Sequence, residues 1–298
     1  MLKPILAMFV ACSIWGLSGA FYKYLSHLPT LEVLAHRSLW SMIFFSLVLL
    51  CQKRFNVLFF IFKNRDHLFL LLTSSLMISI NWFTFIYAIQ INQAVQASFG
   101  YYIFPLVAVF FGFVFKSERF TQIQYFSIIL AVLSVLGLGY ALKMTPFISM
   151  VIGVTFGLYG LIKSYVHYGA IESVTVETIF LAPFALLFLS WIYFVGSDYG
   201  SMRSLNITDF IFLFFSGLIT GGPLILFSYA AKRLTYSTVG VLQYINPTFQ
   251  FIVAIVVFSE PFSFWHLIAL ILIWCAVLLY SFELWKLEPK RKSNEKSS

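Results

Sequence analysis

The sequence is poor in charged residues. Lys, Arg, Asp and Glu together make up 10% of its 298 residues, whereas 61% are hydrophobic and 20% are aromatic. An ordinary soluble domain carries about 25% charged residues. A chain with so little charge cannot cover a globule with polar surface, and the composition therefore predicts an integral membrane protein.

Several sequence motifs are also absent, and each absence argues against a class of function. The three cysteines, Cys12, Cys51 and Cys275, lie in apolar runs without the spacing of a disulfide framework or a zinc site. The chain has no GxxxxGK[ST] loop and no His-Glu-x-x-His pair, which argues against ATP-driven transport and against a zinc hydrolase. We expect no cofactor and no metal. The net charge of +8 does not indicate nucleic acid, because the basic residues are divided among short loops.

Long apolar runs dominate what remains. A membrane-spanning helix needs about 20 mostly apolar residues, and its backbone must be hydrogen-bonded within its own segment. The first run is too long for the core of a signal peptide, which has about 7–15 residues. We therefore predict an all-α integral membrane protein with ten transmembrane helices, at about 4–24, 31–51, 67–90, 94–115, 121–142, 146–167, 174–195, 208–230, 237–258 and 263–285.

The two halves of the chain carry copies of one segment. Aligned with an offset of 142 positions and no gap, residues 87–120 and 229–262 are identical at nine of thirty-four positions. Shared apolar composition does not explain a Pro, a Glu and two Tyr in register, and we infer an internal duplication. The identical pairs include Tyr87–Tyr229, Tyr102–Tyr244, Pro105–Pro247 and Glu118–Glu260.

The duplication predicts two repeats at 1–143 and 144–285, each with five spans, and a disordered polar tail at 286–298. Five is an odd number, so the second repeat must cross the membrane in the opposite sense. With the N-terminus in the cytoplasm, fourteen Lys and Arg lie on the cytoplasmic side and three on the other. Both termini are then cytoplasmic. Lys116 and Arg119 correspond to Phe258 and Pro261, as expected if homologous loops exchange sides.

Inverted repeats enclose a cavity near the membrane midplane that opens alternately to the two sides, and they indicate a carrier. Pro105 and Pro247 should kink spans four and nine, and Gly221-Gly222-Pro223 should break span eight. The candidate substrate contacts near these positions are Asn81, Trp82, Tyr101, Tyr102, Gln243, Tyr244 and Asn246, with Tyr22 and Tyr159 completing the set.

Ionisable residues within spans are expensive and are functional candidates. His36 and Arg37 lie in span two, where Arg37 either contacts substrate or, as the favoured alternative, snorkels toward the headgroups. Lys163 and Glu177 lie at a common depth near the cytoplasmic side and predict an ion pair, either purely structural or part of a gate. Glu177 is interpreted as the only deep carboxylate, so Glu177 and His36 are the candidate proton-coupling groups. Proton-coupled and uncoupled exchange both stay open.

Three tryptophans lie well inside their spans, namely Trp15, Trp40 and Trp82. Tryptophan favours the membrane–water interface, where it anchors a span. At these depths, the rings are equally suited to the face of a cavity that stacks flat or amphipathic solutes.

These segments resemble the EamA family of the drug/metabolite transporter superfamily, and within it the RarD group. The similarity runs through nearly the whole chain and is carried most specifically by HRSLWS at 36–41 and STVGVLQYINPT at 237–248. The resemblance implies ten helices in two inverted repeats, a bacterial inner membrane, and export or exchange of small organic molecules. Two departures, Ser164 after YGLIK and the missing Pro after Trp15-Gly16, fall in cavity-forming helices.

The first hypothesis is therefore a secondary transporter, or permease, for amphipathic metabolites or drugs, with efflux or exchange as its direction. The expected partners are a small-molecule substrate and the lipid bilayer, and the sequence does not decide between a monomer and a homodimer. A non-transporting receptor or scaffold is the alternative. An intramembrane enzyme is disfavoured, because the spans lack converging acid–base groups.

Overall fold

The computed structural model describes residues 2–116, 121–141, 147–194, 206–231, 233–234 and 242–294. All regular structure within these ranges is helical. A 3₁₀ turn at Leu25–His27 follows the first helix, and a π-helical segment at Val253–Val257 follows the helix at Ile245–Ile252. In chain order the helices are α1 (Leu2–Tyr24), α2 (Thr30–Cys51), α3 (Asn56–Lys63), α4 (Arg65–Gln90), α5 (Ala94–Lys116), α6 (Gln122–Ala141), α7 (Phe147–Lys163), α8 (Ala170–Phe194), α9 (Ile207–Ala231), α10 (Ile245–Ile252) and α11 (Phe264–Asn294).

Some predicted features lie outside these ranges. They are Glu118, Arg119 and the first part of the STVGVLQYINPT segment, residues 237–241. The side chain of Pro105 also lies outside the described part, although its backbone belongs to α5.

Polar caps fix where two of the helices begin. The Asn64 side chain accepts a hydrogen bond from the His67 amide at 3.3 Å and caps α4. The carboxylate of Glu260, in the loop before α11, accepts from the amides of Ala94 at 2.6 Å and Val95 at 2.8 Å. A carboxylate there satisfies free amides and complements the positive end of the helix dipole. The start of α5 is thereby fixed to the second half of the chain.

The bundle is apolar outside and carries polar groups inside. Seven helices, α1, α2, α4, α6, α8, α9 and α11, are long and apolar enough to cross a membrane. Phe184 is 72% exposed and Phe194 is 88% exposed, while Ser74 and Asn81 are fully buried. Apolar surface of this extent on the outside suits lipid rather than water. The protein is a multi-pass helical membrane protein.

Helices from the two halves of the chain pack against each other. The most extensive contacts join α5 to α7, α2 to α8, α6 to α11, and both α1 and α2 to α9. Glycine permits the closest approaches. A Cβ added at Gly16 of α1 would lie 2.5 Å from the Cβ of Phe249 in α10, and one added at Gly157 of α7 would lie 2.7 Å from a methyl of Val107 in α5.

The structure corrects three predictions about segments. The predicted loop between spans two and three contains α3, which buries Leu58 and Ile61 and exposes Phe59. Gly221-Gly222-Pro223 does not break α9, because neighbouring helices in a membrane protein tolerate such residues within a continuous helix. The tail from residue 286 is predicted to be disordered, whereas α11 extends as far as Asn294.

Candidate functional site

A cavity of about 160 Å³ lies between the two halves of the chain. Helices α1, α2, α4 and α5 contribute to it from the first half, and α7, α8, α9 and α10 contribute from the second. Aromatic rings form much of the wall: Trp15, Trp82, Phe85, Tyr101, Phe104, Phe156, Tyr159 and Tyr244. Polar side chains interrupt them: Ser18, Arg37, Asn81, Thr220, Gln243, Asn246 and Gln250.

Arg37 is the one formally charged side chain among the described residues that line the cavity. Its Nε donates a hydrogen bond to the Thr220 hydroxyl at 3.0 Å. The guanidinium carbon lies 4.2 Å from the centre of the Trp82 ring and 5.2 Å from that of Tyr22. The residue is 7% exposed, and Nη1 is buried without a hydrogen-bond partner in the described part of the chain.

The favoured expectation that Arg37 snorkels toward the headgroups is therefore wrong. Snorkelling requires a side chain that can reach the interface along the outside of its helix. Arg37 lies on the face of α2 that packs against α9, and Thr220 and Trp82 hold its head group in the interior.

Asn81 lines the cavity and links α4 to α5 and α7 through side-chain hydrogen bonds. Its Nδ2 donates to the Ile152 carbonyl of α7 at 3.0 Å, and its Oδ1 accepts from the Tyr101 hydroxyl of α5 at 2.8 Å. These bonds position the Tyr101 ring in the cavity. Gln250 differs, because its Nε2 donates to Asn246 at 3.0 Å but its buried Oε1 has no partner among the described residues.

The helix of span nine is interrupted next to the cavity. Residues 242–243 are helical, Tyr244 is in a turn, and α10 begins at Ile245. Pro247 thus lies in the first turn of α10, where its missing amide hydrogen is tolerated, and the interruption precedes the proline rather than kinking a continuous helix. Tyr244 stacks on its repeat counterpart Tyr102, with ring centres 6.4 Å apart and planes inclined by 20°.

The structure brings nine predicted contact residues to the cavity: Trp15, Arg37, Asn81, Trp82, Tyr101, Tyr159, Gln243, Tyr244 and Asn246. Four others lie outside its lining. Tyr22 lies behind Arg37, and Tyr102 lies behind Tyr244, with its hydroxyl 2.9 Å from that of Thr248.

The side chains of the remaining two, His36 and Trp40, point away from the cavity, because each is rotated about the axis of α2 relative to Arg37. His36 Nε2 lies 2.8 Å from the Tyr193 hydroxyl of α8, and Trp40 packs edge-on against Phe210 and Phe214 of α9. Pro247 lines the cavity, and Pro223 lies inside α9 one turn beyond Thr220.

The ion pair expected between Lys163 and Glu177 is present. Lys163 Nζ lies 2.8 Å from Glu177 Oε1 and also donates to the Ser173 hydroxyl at 2.6 Å. Glu177 is 1% exposed and accepts two further hydrogen bonds, from Ser74 at 2.5 Å and from Tyr159 at 3.2 Å. Tyr159 lines the cavity, so its hydroxyl connects the buried ion pair to the cavity wall.

Sequence reasoning missed several buried carboxylates. Glu32, Glu172 and Asp209 are at most 2% exposed, so buried carboxylates also occur at the ends of the helices. All three lie in the first turn of a helix, where a negative charge complements the helix dipole. An acidic residue in the first turn of a helix is the sequence signal that could have identified these three carboxylates. Glu172 pairs with Arg54 at 2.6 Å, and Asp209 lies 3.3 Å from His27.

Thr220 and Gln250 were also missed as lining residues. Each is a single polar residue on an apolar helix, and no sequence signal separates a cavity-facing residue of this kind from one that bonds its own backbone. Among the described residues no three potential metal ligands converge. The site can hold and orient a small amphipathic molecule through ring surfaces, a guanidinium and a few amide and hydroxyl groups.

Apolar helices around an aromatic, partly polar cavity define a multi-pass membrane protein with an internal cavity. The chain belongs to the EamA-like transporter family, whose profile matches residues 2–140 and again residues 144–282. Membership of a transporter family argues against an enzyme.

The chain also resembles individual relatives along nearly its whole length. It is 34% identical to the uncharacterized transporter YojE of Bacillus subtilis over 98% of each chain. It is 33% identical to an uncharacterized transporter of Pseudomonas aeruginosa, over 92% of this chain and 91% of the relative. It is 30% identical to Protein RarD of Escherichia coli over 93% of each chain.

The fold is shared with a solved crystal structure. It covers 94% of this chain and 97% of its own, with a TM-score of 0.60 at 16% identity.

Proposed function

We propose that this protein is a secondary transporter with ten transmembrane helices in two inverted five-helix repeats. It moves small organic molecules across the bacterial inner membrane by alternating access, in the direction of efflux or exchange. The observation that carries the proposal is the pattern of helix packing, in which contacts between the two halves come in repeat-related pairs.

The pairs follow when α1, α2, α4, α5 and α6 are matched with α7, α8, α9, α10 and α11. The contact of α5 with α7 then corresponds to that of α10 with α1. The contact of α1 with α9 corresponds to that of α7 with α4, and the contact of α2 with α9 to that of α8 with α4. Three contacts map onto themselves: α2 with α8, α5 with α10 and α6 with α11. A two-fold exchange of the halves produces this pattern.

Single residues obey the same exchange. The close approach of Gly16 to Phe249 is repeated by that of Gly157 to Val107. Val107 is the counterpart of Phe249 at an offset of 142, and Gly157 follows Gly16 at an offset of 141, one residue short of the exact counterpart. The stacked rings of Tyr102 and Tyr244 are counterparts of each other, so the two-fold axis passes between them. Both close contacts and the axis support a duplicated scaffold that encloses the cavity.

Such a scaffold suits alternating access, because rocking one repeat against the other moves the opening from one face to the other. With a cytoplasmic N-terminus, the loop at 91–93 is external and the loop at 164–169 is cytoplasmic. The lining includes Val174 near the cytoplasmic start of α8 and Gln243 near the cytoplasmic start of span nine. Its nearest residue to the external loop at 91–93 on α4 is Phe85, more than a turn inside. The cavity is therefore closer to the cytoplasm in this conformation.

The names of the relatives support transport. YojE is described as a transporter, and a relative from Pseudomonas aeruginosa carries the name chloramphenicol-sensitive protein RarD. A substrate screen in proteoliposomes, with radiolabelled compounds measured by counterflow, tests the proposal. Chloramphenicol belongs in that screen. Counterflow of at least one small organic molecule is expected, whereas liposomes that show none for any compound would contradict a carrier.

Two variants make the test specific to the cavity. Tyr244→Ala, in the cavity wall, should lower counterflow without reducing the amount of folded protein. Tyr140→Ala is the matched control, because Tyr140 lies on α6 and is 89% exposed. Equal rates for the two variants would remove Tyr244 from the site.

Labelling tests the inverted arrangement separately. In a background without the native cysteines, Lys116→Cys should react only from the cytoplasmic face and Ser259→Cys only from the external face. Reaction of both from one face would exclude oppositely oriented repeats.

A further inference from the structure

We propose that the cavity selects small organic anions, in particular monocyclic aryl carboxylates whose carboxylate pairs with Arg37 while the ring lies against Trp82 and Tyr101. This inference rests on the proposed function in taking the cavity as the transport site. It goes further by naming the chemical class that the site accepts.

The charges of the protein interior give the first reason. The buried carboxylates Glu177, Glu172 and Asp209 each lie within 3.3 Å of a cationic or ionisable nitrogen. Arg37 is also buried, at 7% exposed, yet no carboxylate of the described residues forms an ion pair with it. Guanidinium stays protonated in proteins, so the described lining of the cavity carries one positive charge without a counter-ion. A buried charge of this kind is costly unless it is paired.

The contacts that Arg37 does make leave one donor nitrogen of its guanidinium without a partner among the described residues. Thr220 accepts from Nε, and the rings of Trp82 and Tyr22 lie within cation–π distance of the guanidinium. Neither kind of contact satisfies Nη1, which is buried and unpartnered among the described residues. A carboxylate matches the planar donor fork of a guanidinium and can accept two of its hydrogen bonds.

The size and polarity of the cavity favour a small anion with a single negative charge. The volume of about 160 Å³ is close to the ~150 Å³ of an apolar cavity that holds benzene. One ring with a short carboxylate arm fills such a space. A phosphate dianion would require further cations, and the described lining residues supply none besides Arg37.

Three probes of one shape isolate the charge: 3-phenylpropanoate, 3-phenylpropan-1-ol and 3-phenylpropan-1-amine. Binding to the purified protein in detergent at neutral pH can be measured by quenching of tryptophan fluorescence, since Trp15 and Trp82 line the cavity. We expect the anion to bind about tenfold or more tightly than the alcohol, and the amine to bind most weakly. Arg37→Met should weaken anion binding by at least about thirtyfold, as expected for truncation of a buried, hydrogen-bonded charge.

Arg37→Lys keeps the charge without the planar fork and should give intermediate affinity for the anion. Thr220→Val removes the hydroxyl that orients Nε and should weaken anion binding severalfold while alcohol binding changes little. Both variants keep a cation in the cavity and provide the test if Arg37→Met does not fold, which its melting curve would reveal.

Equal or tighter binding of the alcohol or the amine would overturn the proposal. An anion preference that persists in Arg37→Met, or no binding of any probe, would overturn it as well. The outcome is separable from that of the transport assay. Anion binding without counterflow of any compound would leave the anion site standing and refute the transporter, whereas counterflow of another substrate without phenylpropanoate binding would do the reverse.

Discussion

The buried ion pair of Lys163 and Glu177 allows a quantitative test of what it contributes. Removing one partner of a buried pair costs about 3–5 kcal/mol, because the other charge is left uncompensated, whereas replacing both by apolar residues is often neutral. Ser173 remains as an acceptor for Lys163 in the absence of Glu177, which favours the lower end of that range. We expect Lys163→Met and Glu177→Met each to destabilise the protein by about 3 kcal/mol, and the double variant by less than either.

Thermal unfolding in one detergent, followed by tryptophan fluorescence, measures these differences. In chains of 150–250 residues a change of 1 kcal/mol shifts the melting temperature by about 2–4 °C. Each single variant should therefore melt roughly 6–12 °C below the wild type. Lys63→Met is the matched control, since the Lys63 side chain is exposed at the end of α3 and forms no ion pair with a carboxylate of the described residues. Its melting temperature should change much less.

Small and additive losses in the two single variants would refute the reasoning, because they would mean that the two charges do not depend on each other. The double variant then separates a structural pair from a gate. Wild-type counterflow in stable double-variant protein assigns the pair to packing. An altered rate at unchanged stability assigns it to the gate.

Two further predictions concern the scaffold. Gly16→Ala and Gly157→Ala should each destabilise the protein by about 1–3 kcal/mol through overpacking. Gly137→Ala is the control, because nothing lies within 4 Å of its added Cβ, and equal effects at the three sites would contradict the close packing. Glu260→Ala should cost about 1–2 kcal/mol by uncapping α5, and Glu260→Gln should cost less, since an amide oxygen still accepts one hydrogen bond. An unchanged melting temperature for Glu260→Ala would exclude the cap.

Much of the scaffold could be predicted from the sequence because it follows from properties that are additive along the chain. Scarce charge and long apolar runs indicate membrane helices wherever each side chain points. The depth of a residue in its span follows from counting, which was enough to pair Lys163 with Glu177 across the short connection between α7 and α8.

The direction in which a side chain points could not be predicted in the same way. Arg37 and Trp40 lie three residues apart on α2, and both qualified as cavity residues by depth. The Arg37 side chain extends into the cavity, whereas Trp40 packs against Phe210 and Phe214. The difference depends on the rotation of α2 against α9, which is set by tertiary packing. The continuous α9 has the same origin, since Pro223 breaks a helix only if neighbours do not support it.

The cavity combines a symmetric scaffold with asymmetric chemistry. Several lining positions are counterparts at an offset of 142, and in most of them the first repeat presents an apolar or aromatic side chain where the second presents a polar one. These pairs are Ile78 with Thr220, Tyr101 with Gln243 and Phe104 with Asn246. Arg37 reverses the rule, because its counterpart is Ile179 and the first repeat supplies the charge. Thr220 of the second repeat then accepts from Arg37 of the first, so the charged group is oriented only while the two repeats are in contact at this place. If rocking of the repeats separates α2 from α9, the same movement that opens the cavity also changes the setting of its only described charge. In the proposed alternating-access cycle, this contact would couple the affinity for an anionic substrate to the conformation of the protein.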